Sequence, residues 1–126
     1  IVPLLRELKA RGYALAIVSN KLDVAVKSLS QNYFEGIVEV AIGDQEGLRK
    51  KPEPDMVEAA LKELGKTKEQ AVYVGDSDVD LLTAKNSGLP CISVLWGFRD
   101  KDFLTAHGAQ CFAKTPADIL ISLEKL

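Results

Sequence analysis

The sequence predicts an α/β fold in which helices pack on a mainly parallel sheet. Segments with apolar residues at helical spacing alternate with short apolar runs along the whole chain. This alternation is typical of parallel sheets, because a crossover helix must return the chain before the next strand can run in the same direction. Glycines follow most of the helical segments, as expected where helices end in a left-handed residue. We find no repeat, low-complexity tract or linker, so we expect one domain covering residues 1–126.

The first half of the chain is predicted to contain three helices and two strands. Apolar residues at positions i, i+3, i+4 and i+7 mark one face of a helix. Three such faces are Ile1-Leu4-Leu5-Leu8, Leu22-Ala25-Val26-Leu29 and Val57-Ala60-Leu61-Leu64. The strands are predicted at 13–18, whose nearly continuous apolar run suggests burial on both faces, and at 37–42. Residues 43–53 are predicted to form a loop before Pro54 and Asp55, which suit a helix start. Gly12 and Gly65 are expected to end the flanking helices.

The second half is predicted to contain three strands and three helices. The strands are expected at residues 71–75, 90–95 and 110–113, the last of them at the edge of the sheet. We expect Val79 and Leu82 to line the first helix, which stops at Gly88. The second helix covers 100–107 and stops at Gly108. The third starts at Thr115-Pro116-Ala117-Asp118 and presents Ile119, Leu120, Leu123 and Leu126.

Composition excludes several classes of partner. The net charge is −2, from 16 basic and 18 acidic residues, which predicts no basic surface for nucleic acid or an anionic membrane. No apolar run approaches the ~20 residues of a membrane span. Cys91 and Cys111 lack metal-binding or redox spacing and are expected to be small buried side chains in strands, which fits a reducing cytoplasm. His107, the single histidine, is expected on the surface near a helix end.

The stretch Val74-Gly75-Asp76-Ser77-Asp78-Val79-Asp80 places three acids after a predicted strand. Open α/β sheets build their ligand sites at the carboxyl ends of strands. Mg²⁺ takes oxygen ligands, commonly one or two carboxylates together with phosphate oxygens. Asp76 and Asp80 lie four residues apart across a strand-to-helix turn, so both can face one cation. The alternative is an ordinary helix start, with Ser77 or Asp76 as the N-cap and acids favoured by the helix dipole.

Two earlier polar segments complete an ordered set of motifs. Ser19-Asn20-Lys21 follows the first apolar run, and Lys50-Lys51-Pro52-Glu53-Pro54-Asp55 precedes the third helix. Together with Gly-Asp-Ser-x-x-Asp, this order resembles the second, third and fourth motifs of the haloacid dehalogenase-like hydrolase superfamily. Within it, K-P-x-P-D, Y-V-G-D-S-x-x-D and Val94-Leu95-Trp96-Gly97-Phe98 look most like the phosphoglycolate phosphatase branch.

The resemblance implies a Rossmann-like three-layer α/β/α core that is larger than this chain. The superfamily's first motif, D-x-D-G-[TS], carries the nucleophile and a general acid/base, and no segment here matches it. We therefore expect a C-terminal portion of the core, with the first strand, nucleophile and cap upstream. That strand would lie centrally, between the strands bearing Ser19 and Asp76. Because its loss would leave backbone groups unpaired, we expect residues 1–126 alone neither to fold natively nor to be active.

The resemblance also implies roles for the motif residues in hydrolysis through an aspartyl-phosphate. Asp76 would be a direct Mg²⁺ ligand, and Asp80 would bind through water or orient neighbouring donors. Ser19 would donate its hydroxyl to a phosphoryl oxygen, with help from the backbone N–H of Asn20. Lys51 would neutralise charge between the nucleophile and the phosphate. The substrate would be a small phosphorylated metabolite, with 2-phosphoglycolate suggested by the branch.

Each of these roles has an alternative in which the residue is purely structural or simply exposed to solvent. Ser19 could be an N-cap, Lys51 a surface lysine and Asp80 a solvated acid of the first helical turn. Trp96 and Phe98 could border a substrate entrance or pack in the core. For the whole chain, the alternatives are a non-catalytic partner-binding domain, a phosphotransferase or mutase, and a dehalogenase. A β-phosphoglucomutase-type mutase tends to carry Glu-Asp in place of Gly75-Asp76, and a dehalogenase would not need two acids for a metal.

Overall fold

The structure, a computed structural model, describes residues 2–125 and the side chains of residues 2–124. Ile1 and Leu126, which were predicted to extend the first and last helix faces, lie outside these residues. Helices and strands alternate as predicted. In chain order they are α1 (Val2–Ala10), β1 (Ala16–Leu22), α2 (Asp23–Phe34), β2 (Val40–Asp44), α3 (Asp55–Leu64), β3 (Tyr73–Gly75), α4 (Asp78–Ser87), β4 (Cys91–Val94), α5 (Lys101–Ala106), β5 (Phe112–Ala113) and α6 (Pro116–Lys125), with a short 3₁₀ turn at Lys68–Gln70.

Contacts divide the chain into two compact units, with the boundary between Thr67 and Lys68. Unit 1 contains α1 to α3 and the sheet formed by β1 and β2; unit 2 contains the remaining elements and a sheet in the order β3-β4-β5. All strand pairings in the described residues are parallel, which confirms the predicted α/β class. The prediction of one domain over residues 1–126 stays a prediction. No helix within residues 2–125 is long and apolar enough to cross a membrane.

The core of unit 1 lies between β2 and α3. Buried side chains from both elements form one cluster, against which partly buried apolar residues of β1, of the loop after β2 and of α3 pack. The cluster contains Val40, Ile42, Met56 and Ala60, packed against Val18, Leu48, Ala59 and Leu64. Met56 is fully buried although the helical spacing did not mark it as a core residue. Gly65 ends α3 in a left-handed conformation with φ 69°, as predicted.

Three expectations for unit 1 were wrong. β1 begins at Ala16 instead of Tyr13, and none of its residues is fully buried, because β2 is its single hydrogen-bonded partner among the described strands. β2 continues through Gly43 and Asp44, where a loop was predicted. On α2, Val26 is buried, but the other residues of the predicted face, Leu22, Ala25 and Leu29, are exposed.

The core of unit 2 lies around the central strand β4. Ile92, Leu104 and Ala113 are completely buried, and Tyr73 and Val94 are nearly so. β4 pairs with β3 at Tyr73↔Cys91 and with β5 at Ser93↔Phe112, which places β5 at the sheet edge as predicted. Packing in this unit therefore depends on side chains of all three strands.

Helix α4 buries a polar face instead of the predicted apolar one. Val79 and Leu82 are 36% and 45% exposed, so the expectation that they line the core was wrong. The buried residues of this helix are Asp80, Thr83, Ala84 and Ser87. Small side chains allow the helix to pack closely, and the hydrogen bonds of Asp80, described below, make the burial of its carboxylate tolerable. The predicted stop at Gly88 is confirmed, with φ 75°.

Both cysteines are free and partly buried. Cys91 opens β4, and Cys111 directly precedes β5. Burial raises the pKa of the Cys91 thiol to about 11. Because thiolate is the reactive form, this thiol is expected to be chemically inert at neutral pH.

Asp23 joins β1, α2 and β2. Its Oδ1 accepts hydrogen bonds from the N–H of Gly43 at 2.9 Å, from Nε2 of Gln45 at 3.0 Å and from Nζ of Lys27. The Lys27 ammonium, together with the Gly43 N–H, holds the pKa of the Asp23 carboxyl below its usual value. Gly43 has no room for a side chain, since an added Cβ would lie 2.6 Å from both the Lys21 carbonyl oxygen and the Asp23 Cα. The contacts of Asp23 and the close packing at Gly43 therefore fix the main-chain conformation around residues 19–23.

Replacing Asp23 with Asn should lower the free energy of unfolding by about 1 kcal/mol at pH 7, because the acceptor loses its charge. Since folding lowers this pKa, the stabilisation is present above the unfolded pKa of about 3.9 and is lost as pH falls through the folded value. The difference from wild type should therefore shrink below about pH 4. Urea denaturation of the protein expressed from its complete gene, at several pH values, measures this difference.

Asp44→Asn is the matched control, because Asp44 makes an exposed ion pair with Lys50 at 3.5 Å and should change stability by less than about 0.5 kcal/mol. Equal losses for the two variants would contradict the role assigned to Asp23.

Candidate active site

Ser19, Asn20 and Lys21 form an irregular stretch in β1. Val18 pairs with Ile42 and Leu22 with Asp44, so β1 advances four positions while β2 advances two. Such bulges redirect side chains and backbone groups, and they are frequent beside functional sites. The Ser19 hydroxyl accepts a hydrogen bond from the N–H of Lys21 at 3.2 Å. The predicted second motif therefore lies within an interrupted part of the strand instead of after its end.

Asn20 ties this bulge to the loop that carries Lys51. The N–H of Lys51 donates to Oδ1 of Asn20 at 2.8 Å, and Nδ2 of Asn20 donates to the Lys51 carbonyl at 3.3 Å. The structure thus brings Ser19, Asn20 and Lys51, the three predicted phosphate-binding residues, into one part of unit 1. The Asn20 side chain acts between two segments of backbone, a role that the sequence did not suggest.

Arg49 anchors the same loop to the start of α3. Its guanidinium donates to Oδ1 of Asp55 from Nε at 3.2 Å and from Nη2 at 2.9 Å, and its N–H donates to Oδ2 at 3.0 Å. Hydrogen bonds from Arg49 lower the pKa of Asp55. The main chain at Lys51 is therefore held by Asn20 and also by the Arg49–Asp55 contacts on either side of it in the sequence. The Lys51–Pro52 peptide bond is cis.

In unit 2, the Asp80 carboxylate is buried and held by three donors. The Tyr73 hydroxyl donates to Oδ1 at 3.0 Å, while Oδ2 accepts from the N–H of Asp76 at 2.9 Å and from the Ser77 hydroxyl at 3.2 Å. Asp80 is 7% exposed. Both carboxylate oxygens therefore accept hydrogen bonds from neighbouring residues, and the choice between an orienting and a water-bridged role stays a prediction. The Ser77 hydroxyl also accepts from the N–H of Asp80 at 3.3 Å, which confirms Ser77 as the N-cap of α4.

Tyr73 is a site residue that the motif analysis missed. Burial, reinforced by the neighbouring Asp80 charge, raises the pKa of its hydroxyl well above the usual value. The hydroxyl therefore remains protonated and can donate to Asp80 throughout the pH range in which proteins are folded. Its sequence signal is weak: a single tyrosine at the start of a strand, seven residues before the acid it contacts.

Asp76 has one carboxylate oxygen engaged and one without a described donor. Oδ2 accepts the N–H of Phe98 at 3.0 Å, and the Asp76 carbonyl accepts the N–H of Arg99 at 3.2 Å. Among the described residues we find no donor to Oδ1. The carboxylate is therefore fixed in orientation while one oxygen remains for another partner.

These residues fit Mg²⁺ with one direct protein ligand. No group of three or more His, Cys, Asp or Glu side chains within residues 2–125 is arranged to hold a metal ion. Mg²⁺ commonly uses only one or two carboxylates, with water and substrate phosphate completing its six positions. An Asp76 carboxylate with a free oxygen and a fixed orientation suits that demand.

The remaining candidates lie on the surface or support the site indirectly. His107 is exposed, stacks on Phe103 with ring centroids 4.2 Å apart, and has Nδ1 2.9 Å from the Phe103 carbonyl oxygen. Trp96 and Phe98 are 40% and 73% exposed, so neither is a core residue. Asp78 is partly exposed at the start of α4, and its Oδ1 lies 4.0 Å from Nε of Arg99.

The sequence pattern of the haloacid dehalogenase-like hydrolase family matches residues 1–94, and the chain belongs to that family. This finding confirms the resemblance in the motifs. A phosphoglycolate phosphatase from Colwellia psychrerythraea (strain 34H) is 31% identical over 122 residues, which are 96% of this chain and 54% of that protein. Pyrophosphatase PpaX from Bacillus pumilus (strain SAFR-032) is 30% identical over 121 residues, 95% of this chain and 56% of that protein.

A solved structure agrees closely. The crystal structure of a "putative phosphoglycolate phosphatase" from Lactobacillus delbrueckii subsp. bulgaricus matches with a TM-score of 0.95 and 40% identity, over 98% of this chain and 52% of that one. This chain therefore spans about half the length of the relatives it matches.

Replacing Tyr73 with Phe should lower the free energy of unfolding by roughly 1–3 kcal/mol, because a buried carboxylate oxygen loses its donor. Tyr33→Phe is the matched control: Tyr33 is 67% exposed, and its loss of a hydroxyl should cost less than about 0.5 kcal/mol. Urea denaturation of both variants, made in the protein expressed from its complete gene, gives the comparison. A Tyr73→Phe protein as stable as Tyr33→Phe would show that the buried hydrogen bond contributes nothing.

Replacing Asn20 with Ala should speed hydrogen exchange of the Lys51 amide roughly fivefold, as expected for the loss of a bond of about 1 kcal/mol. The Arg49 amide, which donates to Asp55 in the same loop, serves as the internal control and should be unchanged. Amide exchange followed by NMR, in the protein expressed from its complete gene, measures both. Equal acceleration of the two amides would mean that the loop opens as a whole and that Asn20 does not specifically hold Lys51.

Proposed function

We propose that this chain carries the phosphate-binding and metal-binding residues of a Mg²⁺-dependent phosphatase that hydrolyses a small phosphomonoester through an aspartyl-phosphate. The observation that carries the proposal is the pair of acids at the turn from β3 to α4. Asp80 is buried and fixes the backbone of Asp76. The Asp76 carboxylate accepts a hydrogen bond at Oδ2 and, from the residues that the structure describes, none at Oδ1. An ordinary helix cap would not require a second acid held in this way.

Each residue has a role that follows from its chemistry. Asp76 would hold Mg²⁺, which when bound supplies positive charge to the phosphoryl oxygens. The hydroxyl of Ser19 and the N–H of Asn20 would donate to non-bridging oxygens of the phosphate. The ammonium of Lys51 would reduce the repulsion between an anionic nucleophile and the phosphate. Asp80 would act by keeping Asp76 in place.

We place the nucleophilic aspartate outside residues 1–126. No segment of this sequence forms D-x-D-G-[TS], and covalent phosphoryl transfer in this family's manner needs that carboxylate. The residues in this chain would bind and neutralise the phosphoryl group, and the reacting carboxylate would be supplied by another part of the protein. Activity of residues 1–126 alone is accordingly not expected.

The proposed substrate is 2-phosphoglycolate, and inorganic pyrophosphate is the second candidate. Relatives with both names cover nearly all of this chain at similar identity: 31% for the phosphoglycolate phosphatase and 30% for pyrophosphatase PpaX. Both are small anions bearing a phosphoryl group, and the residues proposed here would contact only that group.

We further propose a cytoplasmic location, which the two free cysteines support.

The test uses the protein expressed from its complete gene, so that any segment preceding residue 1 is present. We expect phosphate release from 2-phosphoglycolate or pyrophosphate in Mg²⁺ and none in EDTA. Asp76→Ala should lower kcat/KM by roughly 100-fold or more, because the charge stabilising the transition state is lost. Asp102→Ala, which removes an exposed acid from the first turn of α5, is the matched control and should behave as wild type.

Each result that would contradict the proposed function points to a different alternative. Turnover that survives Asp76→Ala would overturn the metal assignment. A folded protein without turnover, whose melting temperature does not rise with Mg²⁺ and vanadate, would favour the non-catalytic partner-binding domain. Turnover that is indifferent to Mg²⁺ would favour a dehalogenase-type site, and transfer of the phosphoryl group to a sugar instead of water would favour a mutase.

A further inference from the structure

We propose that the backbone of the β4–α5 loop, Gly97 to Arg99, positions the Asp76 carboxylate for metal binding by holding Oδ2, so that Oδ1 would be the oxygen available to a metal ion. The inference rests on the Mg²⁺ role proposed for Asp76. It assigns a positioning role to residues that have no role in the function proposed above, and it assigns that role to their main chain instead of their side chains.

Two consecutive amides hold Asp76 at separate points. The N–H of Phe98 donates to Oδ2 at 3.0 Å, and the N–H of Arg99 donates to the Asp76 main-chain oxygen at 3.2 Å. The first bond orients the carboxylate, and the second fixes the backbone from which it projects. Hydrogen bonds from N–H groups to a carboxylate are charge-assisted and stronger than neutral ones. Asp76 is therefore restrained from the loop in addition to its restraint by Asp80.

Gly97 allows the loop to approach this closely. A Cβ on Gly97 would lie 2.3 Å from both Cβ and Oδ2 of Asp76, and 2.7 Å from its Cγ. Its φ is not in the left-handed region, so the requirement for glycine is one of space and not of backbone conformation. Glycine at such a point typically marks a close approach of one backbone to another group. Any side chain here would displace the carboxylate or the loop.

The loop is itself anchored to α5. The guanidinium of Arg99 lies between the rings of Phe98 and Phe103, with Cζ 4.3 Å and 4.4 Å from their centroids. Asp100 caps α5 by accepting the N–H of Phe103 at 2.9 Å. These contacts connect the donor residues to a helix, so the amides at 98 and 99 are held in place although the Phe98 ring is 73% exposed.

The decisive comparison is between Phe98→Pro and Phe98→Ala in the protein expressed from its complete gene. Both variants lose the ring and its contact with Arg99, but only proline removes the N–H that Asp76 accepts. Groups that orient a metal ligand typically contribute 10–100-fold to metal affinity. We expect Phe98→Pro to raise the Kd for Mg²⁺ at least tenfold, and Phe98→Ala to raise it less than about threefold. Titration calorimetry with MgCl₂ measures both.

Two further measurements decide the matter if Phe98→Pro does not fold. Gly97→Ala keeps every donor but displaces the carboxylate, and it should weaken Mg²⁺ binding by a similar factor. In the wild-type protein, MgCl₂ should shift the NMR resonance of the Phe98 amide. The Phe103 amide, which also donates to an aspartate, is the internal control and should not shift.

The outcomes separate the two proposals. A wild-type protein that binds no Mg²⁺ overturns the metal assignment of Asp76, and the positioning role with it. Mg²⁺ binding that depends on Asp76 but is unaffected in Phe98→Pro and Gly97→Ala, or that leaves the Phe98 amide unshifted, overturns the positioning role alone.

Discussion

The buried carboxylate of Asp80 is the constraint on which the rest of unit 2 depends. A charge out of contact with water is tolerated only when donors replace its hydration, and here a tyrosine hydroxyl, a serine hydroxyl and a backbone N–H do so. Other features follow from this burial. Gly75 must be glycine because a Cβ there would lie 2.3 Å from Asp80, and the inner face of α4 is small and polar around the same group.

The two units use acids in a similar way. Asp23 begins α2 and accepts the N–H of Gly43 on the neighbouring strand, while Asp80 in the first turn of α4 accepts the N–H of Asp76 at the preceding strand end. In each case a carboxylate near a helix start fixes the backbone beside a candidate ligand-binding segment. The acid that shapes the turn and the acid that would bind a ligand are different residues, so conformation and chemistry are assigned to separate side chains.

The predictability of each feature depended on how local its cause is. The sequence correctly predicted that α3 ends at Gly65 and α4 at Gly88, and it offered Ser77 as an N-cap. These features could be predicted because they follow from a few adjacent residues. The burial of β1 was wrong because it depends on how many strands lie beside it, which the apolar run at 13–18 does not encode. Which faces of α2 and α4 are buried likewise depends on their neighbours in space.

The same distinction between local and distant causes applies to the residues of the candidate site. The motifs marked Ser19, Asn20, Lys51 and Asp76, whereas the contacts that hold these residues were missed because they join positions distant in sequence. Asn20 contacts a residue 31 positions away, and Phe98 contacts one 22 positions away. A main-chain donor leaves no mark on the sequence, because every residue except proline carries the same N–H. This has an evolutionary consequence for the loop after β4. Its exposed side chains can be replaced without removing the amide that holds the Asp76 carboxylate, provided that the replacement at Phe98 is not proline.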